Sequence, residues 1–165
     1  PKWALYGDAM HRKNLISSIF LTESDLEAHN HHLNAKYAAM QVEARAESFL
    51  CDDAEVVLIA CNTPARTAKG AVQDLRNRGS RAGLFRPIAL GPVRGEALKK
   101  AIQGAERIVV VEASAGQLED EVRLALSKAG VREFPELENV RRMGGVLPQQ
   151  SEIMTRVLGR KEVLA

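Results

Sequence analysis

Residues 107–129, RIVVVEASAGQLEDEVRLALSKA, constrain the fold more than any other stretch. Ile108, Val109, Val110 and Val111 form an unbroken β-branched run. Such a run suits a strand covered on both faces, as in a parallel sheet. Glu112 stands where that strand ends, and Gly116 permits a turn that a Cβ would obstruct. Leu118, Val122 and Leu126 then recur at helical spacing and predict a core-facing stripe. Glu119, Asp120 and Glu121 occupy the first turn, where the helix dipole favours negative charge. Lys128 lies in the last turn and Gly130 just beyond it, a usual helix stop. Strand, turn and helix make the unit of α/β folds, whose ligands and partners meet the protein at the strand ends.

The same logic occurs earlier. EVVLIA at residues 55–60 predicts a buried strand, closed by Cys61 and Asn62. Thr63 and Pro64 are placed as N-cap and first residue of a helix with the stripe Ala65, Ala68, Val72 and Leu75, ending at Gly79. RAGLF at 81–85 predicts a short strand that Pro87 ends. Ile88, Leu90 and Val93 are expected in a buried loop, followed by a helix over 96–103. Val131 to Phe134 are read as a fourth, short strand, and 151–158 as a terminal helix with Ile153, Met154 and Val157 inward. Upstream, Ser24-Asp25-Leu26-Glu27 has the capping-box pattern. Leu26, Leu33, Tyr37, Met40 and Ala44 extend it into a long helix expected to end near Phe49. Residues 1–23 read as a connector, with Trp3, Leu5 and Tyr6 as an anchor on other protein.

A net charge of +2 forces no strongly basic surface, and 4% aromatic content provides no base-stacking platform, so nucleic acid is not the expected partner. No apolar run reaches the roughly 18 residues of a membrane span. Cys51 and Cys61 form neither CxxC nor zinc spacing and are read as ordinary thiols of a reducing cytoplasm. His29 and His32 share a helix face without a third ligand, so a solvated face is the reading preferred over a metal site. The chain begins at Pro1, as expected of a processed product or a fragment of something longer.

A parallel sheet gathers its strand ends along one edge. That edge would hold Asn62, Thr63, Arg86, Glu112, Ser114 and Gln117, with two helix N-termini offering N–H groups to an anion. No GxGxxG or GxxxxGK[ST] strengthens a phosphate reading. The alternatives are a crevice for an anionic small molecule, or side chains that cap their own helices or face a neighbouring domain. Arg141 and Arg142, in the loop RRMGG, are candidates for an anion clamp or for pairing across an interface, the latter preferred. Ser114 lacks a GxSxG context, and Glu112 lacks a paired carboxylate for acid–base work.

Taken together, Trp3-Ala4-Leu5 with Gly7, Leu26-Glu27 with His29-Asn30, Lys36-Tyr37, RAGLFRPIAL at 81–90, VVEASAGQLEDEVRLAL at 110–126, and Arg142-Met143-Gly144-Gly145 with Pro148 and Glu152-Ile153 carry a resemblance. The chain resembles the C-terminal half of the α subunit of 2-oxoacid:ferredoxin oxidoreductases, equivalent to domain II of pyruvate:ferredoxin oxidoreductase, and most of all the 2-oxoisovalerate subgroup. The related C-terminal domains of transketolase-like enzymes and of the pyruvate dehydrogenase β subunit fit Gly116-Gln117 and residues 142–145 less well. The resemblance implies a transketolase C-terminal-like fold: three α/β/α layers around a mostly parallel five-stranded sheet. It implies a connector at 1–23 from an N-terminal domain and one domain over 24–165. It also implies a cytoplasmic enzyme complex that oxidatively decarboxylates a 2-oxoacid to acyl-coenzyme A, with electrons passing to ferredoxin. Thiamine diphosphate, Mg and iron–sulfur clusters are expected in that complex and none in this segment, to which no catalytic residue is assigned. Implied partners are the N-terminal half of the α subunit, a thiamine-binding β subunit, and ferredoxin-like and γ subunits. The family usually has a glycine soon after the first strand, where Cys61-Asn62 stand here. The other reading is a free-standing α/β module that binds an anionic small molecule at the strand ends.

Overall fold

The computed structural model describes residues 1–91 and 93–159. They fall into two compact units, Pro1–Met40 and the remainder from Gln41. The first unit holds a 3-10 turn at Arg12–Asn14 and helix α1, Glu23–Ala39. No side chain of α1 is buried. Thr22 is its N-cap without a side-chain cap bond, so the capping box expected at Ser24 does not form. His29 stacks on Phe20 at 4.7 Å between ring centroids. Its apolar residues are exposed: Leu26 and Tyr37 on the helix, and Trp3, Ile16 and Leu21 before it.

In the second unit, β1 is Ala46–Phe49, β2 is Val56–Ala60, β3 is Ala82–Pro87, β4 is Arg107–Glu112 and β5 is Glu136–Arg141. The helices are α2 (Asn62–Asn77), α3 (Gly95–Ala101), α4 (Gln117–Lys128) and α5 (Gln150–Leu158). The sheet order is β1-β3-β2-β4-β5. β3, β2, β4 and β5 pair in parallel, and β1 closes the β3 edge in antiparallel register, Ala46 opposite Pro87 and Phe49 opposite Leu84.

The central strands are buried on both sides because helices cover both. Leu58, Ala60, Val109 and Val111 pack with Ala65, Ala68, Val72 and Leu75 of α2 and with Ile153, Met154 and Val157 of α5. Val57, Ile59, Ile108 and Val110 face the other way, onto Leu98 of α3 and Leu118, Val122 and Leu126 of α4. This alternation is the two-residue period of a strand, made apolar on both faces. The result is the three-layer α/β/α architecture.

Four expectations need correction. The long helix stops at Ala39, and Ala46–Phe49 is an edge strand. Pairing with β3 outweighs local helix propensity there. Lys69 of α2 fastens it, bonding Glu47 at 3.0 Å with its ammonium 4.7 Å from the Phe49 ring centroid. Residues 131–134 are not a strand; Val131 and Phe134 pack against the α3–α4 layer from a loop, and the strand is β5. Helix α2 starts at Asn62 with Cys61 as N-cap, so Thr63 does not cap it. Ile88 and Leu90 are exposed rather than buried.

At Gly83 in β3, a Cβ would lie 2.5 Å from the Leu50 carbonyl oxygen and 2.9 Å from the Cys51 Cα. Only glycine lets the β1–β2 connection cross this strand. Arg76 of α2 holds the same connection, with Nε on the Ala82 carbonyl at 2.7 Å, one guanidinium nitrogen on the Leu50 carbonyl at 2.8 Å, and both on Asp53.

Candidate functional site at the strand ends

β2 sits centrally, and the chain continues first to β3 on one side and then to β4 on the other. The helix after β2 covers one face and the helix after β4 the opposite face. The two connections therefore diverge between β2 and β4, which is the switch point where crevices open in open α/β sheets. A cavity of about 410 Å³ lies there, lined by Cys61, Asn62, Thr63, Pro64, Leu90, Glu112, Ala113, Ser114, Gln117, Leu118, Glu121 and Leu147. Asn62 adopts φ 51°, the left-handed conformation that glycine would supply, so the departure from glycine leaves the turn sharp.

Five of the seven candidate residues meet in this cavity: Asn62, Thr63, Glu112, Ser114 and Gln117. Arg86 and Arg142 do not line it. Arg86 reaches sideways to Glu47 of β1 at 3.3 Å, with its Nε buried and unpartnered. Arg142 pairs with Glu152 at the start of α5. Arg141, grouped with it, donates to the Ala115 carbonyl at 3.3 Å. Among the described residues no lysine, arginine or histidine lines the cavity, while two carboxylates do.

Glu112 is only 2% exposed, and its carboxylate is fully engaged. Oε2 accepts from the Leu118 N–H at 3.0 Å and from the Ser114 hydroxyl. Oε1 accepts from the Asn139 amide at 2.6 Å and the Glu119 N–H at 3.4 Å. The carboxylate thus plugs the N-terminus of α4, taking N–H groups that the sequence left open to an anion. Gly116 makes this possible, with φ 118° turning the chain back so that the helix N–H groups face the strand they left. Asn139 of β5 ties the arrangement together by also donating to Glu119 at 2.9 Å. That bond, with Arg123, holds the Glu119 carboxyl below its ordinary pKa. The Glu112–Asn139 contact was not foreseen, because the charged run ELENVR gives no sign in sequence of the strand that carries Asn139.

Burial pushes the Cys61 thiol pKa up, and the Glu112 charge adds to the rise. Arg86 acts in the opposite sense but less strongly. Two carboxylates and, among the described residues, no cationic side chain line the crevice. This arrangement neither attracts an anion nor presents a nucleophile paired with a base. A diphosphate–metal unit does not fit these residues: among the described residues no cationic side chain lines the cavity, and the oxygens of its buried carboxylate are already bonded. Among the described residues, no three His, Cys, Asp or Glu converge as metal ligands. A larger cavity of about 630 Å³ opens at the opposite end of the sheet, beside Lys99, Ala105 and Arg132.

Residues 54–153 match the family described as pyruvate:ferredoxin oxidoreductase core domain II. The chain belongs to this family. As a core domain II member it is 37% identical over 156 residues to the ketoisovalerate oxidoreductase subunit VorB of Methanothermobacter thermautotrophicus, covering 94% of this chain and 43% of that protein. It is 36% identical over 107 residues to the 2-oxoglutarate synthase subunit KorA of Methanocaldococcus jannaschii, covering 65% and 27%. The fold is that of a chain in the 2-oxoglutarate:ferredoxin oxidoreductase of Magnetococcus marinus, with TM-score 0.66 and 18% identity over 87% of this chain and 24% of that one. It also matches a split-gene transketolase, TM-score 0.57, 19% identity, over 69% and 41%. The chain spans less than half the length of the curated relatives it matches.

Proposed function

We propose that this chain is the assembly domain of the α subunit of a thiamine-diphosphate-dependent 2-oxoacid:ferredoxin oxidoreductase of the branched-chain (2-oxoisovalerate) type. The complex would oxidatively decarboxylate a 2-oxoacid to its acyl-coenzyme A and pass the electrons to ferredoxin. One observation carries the structural part of this reading: the strand-end crevice, where an α/β enzyme would place its chemistry, has its buried carboxylate committed to holding helix α4. The similarity to VorB over 94% of the chain supports the branched-chain assignment. Thiamine diphosphate, Mg and the iron–sulfur clusters are then held by the N-terminal half of the α subunit and by the β and ferredoxin-like subunits. When bound there, thiamine supplies the carbanion chemistry of decarboxylation. This chain's residues supply a rigid layer for those parts to dock on. Among the described residues no helix is long and apolar enough to cross a membrane.

The test is purification of the full gene product, tagged, from its native source, with its subunits identified by mass spectrometry. A thiamine-binding subunit and an iron–sulfur subunit in fixed stoichiometry support the reading. A single polypeptide stabilised by free anionic ligands would replace it with the small-molecule module.

A further inference from the structure

The crevice combines apolar walls, a charge of one sign and an accessible rim. Leu90, Leu118, Leu147 and Ala113 provide the walls. Glu121 is exposed, and among the described residues it makes no hydrogen bond or ion pair. The Glu112 carboxylate lies beneath, and among the described residues no cationic side chain lines the space. An exposed carboxylate beside exposed leucine suits a ligand with a long apolar stem and a positive head. Arginine and lysine have that form, burying their methylenes while the head stays polar. A guanidinium is weakly hydrated, and arginine is enriched among the residues that anchor protein interfaces.

We propose that the crevice between the ends of β2 and β4 is a socket for one cationic side chain, best met by arginine, presented by another subunit of the assembly. The head pairs with Glu121, and the stem lies on Leu90, Leu118 and Leu147. The inference rests on the assembly reading for the existence of that subunit. It goes beyond it in naming the surface and the charge that the partner must carry. It also runs counter to the anionic ligand that the sequence offered as the alternative, since Arg86 pairs with Glu47 and Arg142 with Glu152.

Cys61 lines the socket and is a native probe of it. The full chain is labelled with a cationic (trimethylammonium-ethyl) and an anionic (sulfonatoethyl) methanethiosulfonate. Each rate is divided by that of the same reagent on 2-mercaptoethanol. Fragmentation of the tryptic peptide 46–66 separates Cys61 from the buried Cys51. The cationic reagent should be favoured at Cys61 by about tenfold. Glu121→Gln, with an unchanged melting temperature, should reduce that ratio about threefold. A ratio at or below one, or one indifferent to Glu121→Gln, overturns the proposal.

The labelling is repeated in the purified complex. Protection of Cys61 that Glu121→Lys abolishes supports a subunit's cation in the socket. Labelling at the free-chain rate within an intact complex refutes the socket and leaves the assembly reading standing. Absence of any complex refutes both. Protection that appears in a dimer of this chain alone overturns the assignment to another subunit.

Discussion

Replacing Glu112 by glutamine tests whether the buried carboxylate is the clamp of the β4–α4 turn. Glutamine keeps the shape and one acceptor oxygen but turns the other into an N–H₂ donor. On the Oε2 side that donor would face the Leu118 N–H; on the Oε1 side it would face the Asn139 amide. Either way a donor opposes a donor, and a charge-assisted bond worth about 1.5–3 kcal/mol is lost. The helix also loses an anion at its N-terminus, roughly 0.3–1 kcal/mol. Relief from burying a charge offsets part of this. The net expectation is a destabilisation of about 2–3 kcal/mol, or a fall in Tm of roughly 5–10 °C. Urea denaturation followed by circular dichroism measures the first figure. Hydrogen exchange gives the local readout: the Leu118 and Glu119 amides should lose protection ahead of the strand amides. A double-mutant cycle with Asn139→Ala should show coupling of about 1 kcal/mol or more, since the pair is in direct contact. A Glu112→Gln variant as stable as the parent, with its Leu118 amide still protected, would refute the clamp.

Gly83→Ala should cost about 1–3 kcal/mol by overpacking, because its Cβ would meet backbone of the β1–β2 connection rather than a flexible side chain; thermal denaturation checks it. Stability should also fall in acid through Glu119. Its folded pKa is lowered, first by the Asn139 hydrogen bond, so between the folded and unfolded values the unfolded chain binds more protons. The contribution is complete above the ordinary carboxylate value near about 4.3 and is lost as pH falls through the folded value. Glu119→Gln should flatten that part of the stability–pH profile, and a profile identical to the parent's would contradict the assignment.

The central elements were legible because burial on two sides leaves a plain mark. Val56 to Ala60 and Ile108 to Val111 are continuous apolar runs, and each is followed by a helix whose stripe faces the sheet. The edges were not. β5 reads ELENVR because one side of it has no neighbouring strand, so its charged residues hide the strand while Val131 and Phe134 nearby imitate one. β1 exists only through its pairing with β3, information that lies 39 residues away in the Arg86–Glu47 contact. The crevice was legible as a place, since strand ends collect polar residues in any parallel sheet. Its charge was not, because that depends on where long side chains swing. Arg86 and Arg142 lie near the right edge in sequence and topology, yet both pair outward. Glu112 was recognised as the end of the strand, but its binding to Leu118 depends on the positive φ of Gly116.

The central claim is that this chain builds an enzyme without carrying its chemistry. The most direct measurement is 2-oxoacid- and coenzyme-A-dependent reduction of ferredoxin, run side by side on the chain alone and on the complex assembled around it, both supplied with thiamine diphosphate and Mg. The account predicts no turnover by the chain alone and turnover by the complex. Turnover of any 2-oxoacid by the isolated chain, or full activity of a complex that lacks it, would contradict the account.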